Sequence, residues 1–331
     1  MNNMKTIVRI TALLLAAAML LSFAACGGDG SGDTPTESTT SYIREVKTKI
    51  SNLSGPLGIG IAKLAADRDY AYETTLFSDS EQICELLRSG KTDIAVLPVN
   101  VAAKLYNETD GAIKVIAVNS RGVFHILENG GKVMKLEDLK GKTVYALGEG
   151  NVPEYLLNEI LEKNGLDGKV TVEYKADFSE IKTVAEKDKS AVFMLPEPHA
   201  STLKASAEGI RYALDLSDEW EKENDAPFAQ GVVVARAEYI EKNAEYIETF
   251  LMQNEISVNY IIENTVAAPG LLGNSGSFES VEVASVALIG CNPRFIRGEE
   301  MKKAVGGTLD MLYEANPELL GGKMPDDGMY Y

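Results

Sequence analysis

The chain has 331 residues, a formal net charge of −17, and 45% hydrophobic residues. That length accommodates two domains of ordinary size, and that apolar content builds real cores, which excludes a disordered chain. An acidic surface of this size repels nucleic acid and argues against a basic patch on anionic lipid.

The predicted elements begin with a leader. Lys5 and Arg9 precede the apolar run Ile10 to Leu21, and the small residues Ala24-Ala25 stand before Cys26. A basic start, a short apolar core and small residues before a cut form a secretory signal peptide over 1–25. The cysteine directly after the small pair resembles the bacterial lipoprotein pattern, in which that residue is lipidated and becomes the new N-terminus. That pattern usually has Leu three residues before the Cys; here Phe23 stands there. Residues 26–42 carry almost no large apolar groups and read as a flexible linker. No second apolar run reaches the roughly 18 residues a membrane helix needs. The expectation is an exported protein held on the outer face of the cell membrane by a lipid on Cys26. Cys84, among Ile83, Leu86 and Leu87, reads as a small buried hydrophobe; whether it pairs with Cys291 stays open.

From Val46 the pattern is strand, loop, helix, repeated. Val46 to Ser51 and Tyr72 to Phe77 are strand-like. Ser78-Asp79-Ser80-Glu81 has the form of a capping box before a helix that stops at Gly90. Ile94 to Leu97 is a continuous apolar strand ending at Pro98, as in sheets covered on both faces. Ile113 to Val118 and Val123 to Leu127 are further strands. A second unit starts near Leu136, with strand Thr143 to Leu147 and a helix capped by Asn151, with Glu154 three residues on. Strand Val170 to Tyr174, a helix around Ile181 to Ala185 and strand Ala191 to Leu195 follow. The segment Asp93 to Ala102 resembles Ala191 to Ala200: each is an apolar strand, a Leu-Pro end and a helix start. Two similar α/β lobes follow from that repeat. After strand Gln230 to Ala235 the pattern is helical over 238–262, 278–289 and 299–315, a block expected to pack on the first lobe. The expected division is 43–134 plus 232–331 for lobe I and 135–231 for lobe II. The chain would cross near Met134 to Leu139 and near Phe228 to Val232.

Ligands bind at strand ends in open α/β sheets. Those ends are the Ser54–Gly58 loop, Pro98–Asn100, Asn119–Gly122, Gly148–Asn151 and Pro196–His199. Gly55 and Gly150 let backbone approach a ligand closely, and free N–H groups at the following helix starts can hold acceptor atoms. The candidate ligand-binding residues are therefore Ser54, Gly55, Pro56, Leu57, Asn100, Asn119, Arg121, Gly150, Asn151, Val152, Glu197, His199 and Gln230. Catalytic and metal-binding patterns do not emerge. The chain has two histidines, His125 in an apolar strand and His199 in a loop, with no H-E-x-x-H or Cys/His cluster. Gly141-Lys142-Thr143 mimics the end of a phosphate loop, but Leu136 stands where the first glycine belongs, and a strand follows where one should precede. Trp220, among Asp218, Glu219, Glu221 and Lys222, reads as part of a surface helix. No cofactor is expected.

Several stretches, in order, carry a family resemblance: Gly55-Pro56-Leu57-Gly58 with Ala62-Lys63-Leu64, Asp93 to Tyr106, Leu136 to Thr143, Pro153-Glu154-Tyr155, Met194-Leu195-Pro196 and Gly231 to Val234. The chain resembles the extracytoplasmic solute-binding proteins of ABC importers, in the nitrate/sulfonate/thiamine-precursor-like (NMT1/THI5-like, SsuA-like) group. Gly298 to Lys302 and Gly322 to Asp327 are similar to lipoprotein members from Gram-positive anaerobes. The resemblance implies a periplasmic-binding-protein-like type II α/β fold: two lobes, a hinge of two crossing strands and a ligand cleft between them. It implies a monomer that binds a small-molecule solute and hands it to an ABC permease and ATPase. It departs from the usual pattern at Asn151-Val152, where a small residue and Thr are common, and at Glu197, where Gln is common. Glu197, if it points into the cleft, would repel a sulfonate or nitrate by roughly 4 kcal/mol at about 4 Å and an effective dielectric of 20, a repulsion that Arg121 would offset if it points the same way. The expected solute is therefore a neutral or weakly basic organic molecule, such as a heteroaromatic. Asn100, Asn119 and Asn151 would supply hydrogen bonds, and Tyr155 or Phe193 an apolar surface. Two alternatives remain: an enzyme on the same fold, and a ligand-sensing lipoprotein without transport.

Overall fold

The computed structural model describes residues 47–67 and 69–331. The expected signal peptide, Cys26 and the linker lie outside the described residues. Two open sheets organise the rest.

The first sheet has strand order β11-β4-β10-β3-β1-β2. It is built from β1 (Thr48–Leu53), β2 (Tyr72–Phe77), β3 (Ile94–Pro98), β4 (Ile113–Ser120), β10 (Gly231–Arg236) and β11 (Pro293–Ile296). The second has order β7-β6-β8-β5-β9. Its strands are β5 (Phe124–Asn129), β6 (Thr143–Ala146), β7 (Thr171–Tyr174), β8 (Val192–Pro196) and β9 (Ile210–Asp215). The apolar runs of β3 and β8 lie inside their sheets, and Ile94 to Leu97 and Val192 to Leu195 are buried on both faces, as continuous hydrophobic strands require.

Local chemistry sets the helix starts. Helix α1 (Ala62–Ala66) follows a 3-10 turn over Pro56–Ile61, and α2 (Ser80–Arg88) and α3 (Val99–Glu108) cover the first sheet. The N-cap of α2 is Asp79, whose carboxylate accepts from Glu81 N at 2.9 Å. The capping box expected from Ser78 is replaced by a single N-cap bond one residue later, because the extended Asp79 backbone brings its short side chain to the free N–H. Around the second sheet lie α4 (Val152–Lys163), α5 (Phe178–Lys187), α6 (His199–Ser206) and α7 (Leu216–Glu223). Asp177 and Asp215 cap α5 and α7 by accepting from backbone N–H two residues on.

The late block folds onto the first sheet, with one correction to its pattern. The expected 238–262 helix breaks at Asn243, between α8 (Ala237–Lys242) and α9 (Ala244–Glu263). Asn243 leaves the helical region and its amide donates to Tyr239 O at 3.0 Å, ending α8. Then come α10 (Ala268–Asn274), α11 (Val281–Ala287) and α12 (Gly298–Ala315). Strand β11 between them closes the edge beside β4, and β9 closes the second sheet; neither was expected.

The first crossing also differs. The chain leaves the first sheet after Ser120 and enters the second at Phe124, not near Met134 to Leu139. Strand β5 is buried on both faces between β8 and β9, with which it pairs. Residues 124–134 thus go with the second sheet, and Gly231, expected in lobe II, opens β10 in the first. The return crossing lies between the end of α7 and Gly231. Trp220 is the clearest reversal of solvent side. It is 2% exposed, its ring meets Phe228 at 5.4 Å between centroids, and its indole N–H donates to Ala226 O at 3.0 Å. The helical turn gives Asp218, Glu221 and Lys222 the outward positions and Leu216 and Trp220 the inward ones. Trp220, Phe228 and the inner face of α12 (Met301, Val305, Leu309, Leu312) then join the cores of both lobes into one cluster.

The turn over Pro56–Ile61 is packed without spare room. A Cβ on Gly58 would lie 1.8 Å from the backbone oxygen of Leu53, which cannot move aside as a side chain can. Gly58→Ala is expected to lower stability by about 1–3 kcal/mol, the usual range for overpacking, read as a shift in the urea midpoint at unchanged m-value.

Candidate functional site

The carboxyl ends of β1, β2, β3 and β4 share one edge of the first sheet, together with the start of β10. The carboxyl ends of β6, β7 and β8 and the start of β5 share one edge of the second. The short Arg121–Val123 link joins the two edges, so the loops that follow the strands open toward the same space between the sheets.

On the first edge, Ser54, Gly55, Pro56 and Leu57 are half-buried. Ser54 N donates to Phe77 O and Gly55 N to Ser277 O, each at 2.7 Å. Gly55 has φ +80°, a left-handed conformation that glycine adopts without strain. Asn100 stands half-buried in the first turn of α3. Asn119 lies elsewhere than expected. It is 0% exposed, and its amide donates to Leu57 O at 3.3 Å from beneath the 3-10 turn. It positions the loop from inside the lobe instead of facing a solute.

On the second edge, Gly150 and Asn151 are exposed and Val152 is half-buried. Gly150 N donates to the Glu154 carboxylate at 2.6 Å, and the Asn151 amide donates to Glu149 O at 3.1 Å. Asn151 is the N-cap of α4 by position, but its side chain makes no cap bond; Glu154 alone closes that helix start. His199 opens α6 and stacks on Phe178 with centroids 4.5 Å apart. Burial lowers its pKa, with the field of Glu279 opposing and that of Lys182 adding to the effect, so the ring is neutral at neutral pH.

Glu197 is 4% exposed. Its Oε2 accepts from Ser201 Oγ at 2.7 Å and Ser201 N at 3.3 Å, and its Oε1 from the Tyr212 hydroxyl. Desolvation raises its pKa, and the hydrogen bonds from Tyr212 and Ser201 only partly offset that. The carboxylate is thus held inside its own lobe. Arg121 is similarly committed: its guanidinium donates to Glu221 at 2.7 Å and to Asp218 at 2.9 Å, both on α7. Gln230 ties the two crossing segments together. Its Oε1 accepts from Val123 N at 2.8 Å, its N donates to Ser120 O at 3.2 Å, and its carbonyl accepts from Val99 N at 2.9 Å.

Sequence reasoning missed Ser277, Ser201 and Tyr212. Ser201 had a usable signal, standing four residues after Glu197 at a helix start. Ser277 acts through its backbone and Tyr212 through an unforeseen strand, and neither leaves a local mark. Cys84 and Cys291 are both buried and free, so the pair does not form a disulfide. Burial, with a smaller push from Glu81, raises the Cys84 thiol pKa to about 11.

Two open α/β sheets joined by crossing segments, with strand ends facing one another, define the two-lobed periplasmic-binding-protein fold. Solved structures share it. An ABC transporter structure from Parabacteroides distasonis superposes with TM-score 0.72 at 24% identity, over 86% of this chain and 98% of that one. The periplasmic aliphatic sulphonate binding protein SsuA from Escherichia coli gives 0.64 at 18%, over 84% and 94%. The alkanesulfonate-binding SsuA from Xanthomonas axonopodis pv. citri, bound to MOPS, gives 0.58 at 15%, over 86% and 98%. At these identities the likeness speaks to the fold. The chain belongs to the NMT1/THI5-like family, whose model matches residues 75–268, more than half of the sequence. No curated protein matches it by sequence.

The raised pKa of Glu197 gives a pH signature. A carboxyl whose folded pKa lies above its unfolded value favours folding below about pH 4.5, and loses that contribution as pH rises through the folded value. Glu197→Gln keeps an acceptor for Tyr212 and Ser201 and does not titrate. Its stability relative to the wild type is expected to grow as pH rises from about 4.5 through the raised folded value and then to level off. Paired urea titrations across that range check this; a constant difference would contradict it.

Proposed function

We propose that this protein captures a small organic solute between its lobes and delivers it to the permease and ATPase of an ABC importer. The observation that supports this most is the meeting of two strand-end edges, each lined by half-buried polar loops, in a chain of the NMT1/THI5-like family. In this reading it is a binding protein and not an enzyme, and it works as a monomer. Ser54 to Leu57 and Asn100 face Gly150 to Val152 and His199 across the solute, while Arg121, Gln230, Asn119 and Glu197 position the walls.

The charges favour a neutral or weakly basic solute. Two devices at these edges could hold an anion: the Arg121 guanidinium and the N-terminus of α4. Asp218 and Glu221 occupy the first, and Glu154 occupies the second. A sulfonate, as in the two SsuA relatives, would have to displace a carboxylate from either. Nucleobase-like or pyrimidine-like heteroaromatics instead need flat apolar surface and amide partners. Mass spectrometry of ligand carried through purification, followed by thermal-shift titration, tests this. A cognate solute at 100 times its Kd is expected to stabilise the protein by about 2.7 kcal/mol. Stabilisation by taurine or nitrate, with none by aromatic solutes, would overturn the solute class. No stabilisation across a broad metabolite library would overturn capture itself.

The leader and Cys26 support export and a lipid anchor on the outer face of the cell membrane. Cys26→Ser is expected to move the protein from the membrane fraction into the medium and abolish palmitate labelling. Retention of both in the variant would refute the anchor.

A further inference from the structure

Besides the crossing segments and the packing of α11 on α6 and of α12 on α4, a short stretch of the first lobe reaches across to the second. Residues 288–292 run from the end of α11 to the start of β11. Their root is in the first lobe: Ser120 Oγ donates to Cys291 O at 3.3 Å, and Arg121 N donates to Asn292 O at 3.1 Å. Their far side belongs to the second. His125 Nε2, on β5, lies 2.8 Å from Gly290 O. A carbonyl only accepts, so Nε2 carries the proton and donates. The Asn292 amide donates to the Asp215 carboxylate of the second lobe at 2.7 Å, and to Gly122 O in the linking segment at 2.8 Å.

Gly290 fits because it has no side chain. A Cβ there would stand 2.2 Å from Glu197 Oε1 and 2.8 Å from His125 Nε2. Neither group can retreat. Glu197 is gripped by Tyr212 and Ser201, and His125 is buried with its ring edge-on to Tyr212 at 5.1 Å between centroids. Asn292 is held at φ +44°, which asparagine tolerates better than most residues.

We infer that residues 288–292 form an interlobe latch, with Gly290 and Asn292 as the positioning residues that hold the lobes together in the closed state. In this role the latch acts on the lobes and not on the solute. It shifts the balance between open and closed forms, and so sets affinity through the fraction of protein already closed. This rests on solute capture for its consequence but not for its geometry, and the two fail separately.

The test uses the full mature chain carrying Gly290→Ala or Asn292→Gly, with Val266→Ser as an exposed control. Asn292→Gly removes both amide bonds while easing the left-handed backbone, so it folds even if Gly290→Ala does not. Without ligand, small-angle scattering and a fluorescence distance between labels on α2 and α5 are expected to report a larger radius and separation in both variants. The control should match the wild type. With the solute identified by co-purification, affinity is expected to fall about fivefold or more, the lower end of typical coupling. Wild-type radius and label distance in a folded Asn292→Gly would overturn the latch, whatever the binding result. Opened lobes in a protein that stabilises with no solute would uphold the latch and sink capture.

Discussion

The constraint on which the rest depends is the satisfaction of backbone hydrogen bonds where the chain passes between sheets. A segment leaving one ladder for another strips its N–H and C=O groups of partners in a dry interior, at a cost of about 1–3 kcal/mol for each one left unpaired. Gln230 meets much of that demand, bonding Val123, Ser120 and Val99 from one position. Thr308 on α12 supplies the next acceptor, taking Ala229 N at 3.0 Å. Both crossings are thus fixed by the same few groups. The strand ends of one lobe then stay opposite those of the other, which is what a cleft requires.

The acidic composition acquires a second meaning beside that hinge. Net charge alone speaks of solubility. In the folded chain, carboxylates also fill the places where an anionic ligand would otherwise sit. Asp218 and Glu221 hold Arg121, which stays protonated although burial works against its charge. Glu154 takes the leading N–H of the Gly150 loop. Among the described residues no cation lies within hydrogen-bond reach of Glu197, and its charge is met by two hydroxyls and the Ser201 N–H, so its burial is a liability as pH rises through its raised pKa. In the proposed capture, such an arrangement would select against anions.

Much of this was legible in the sequence where one local signal decides. The all-apolar runs at Ile94 and Val192 read directly as buried strands, and the Tyr72–Phe77 strand has the bounds expected of it. The two lobes followed from the Leu-Pro ends repeated at Pro98 and Pro196. Legibility failed where pairing partners decide. Strand β5 was recognised, but its assignment to the second sheet depends on β9, a mixed stretch (Ile210–Asp215) with no strong alternation of exposure. Trp220 sat among charges that concealed its inward face. At the site, loop positions were readable from strand ends, whereas the direction of a side chain was not. Asn119 and Glu197 both turned inward, because a neighbouring loop or helix offered a partner closer than any solute.

The inward asparagines bear on how the cleft can move. Asn52 and Asn119 flank the 3-10 turn, donating to Gly58 O at 3.0 Å and Leu57 O at 3.3 Å. Each leaves its Oδ1 buried with no hydrogen-bond partner among the described residues. Those oxygens lie against Gly58 and Gly60, at places a Cβ would occupy. The turn is thus clamped by two amides that give up half their bonding to reach it, and it has no slack for a side-chain-sized displacement. A loop held this rigidly presents Ser54 to Leu57 in one geometry. In the proposed capture, adjustment to a solute falls to the lobes turning about Gln230, and residues 288–292 bias that turning beside the crossing, where they meet His125 and Asp215.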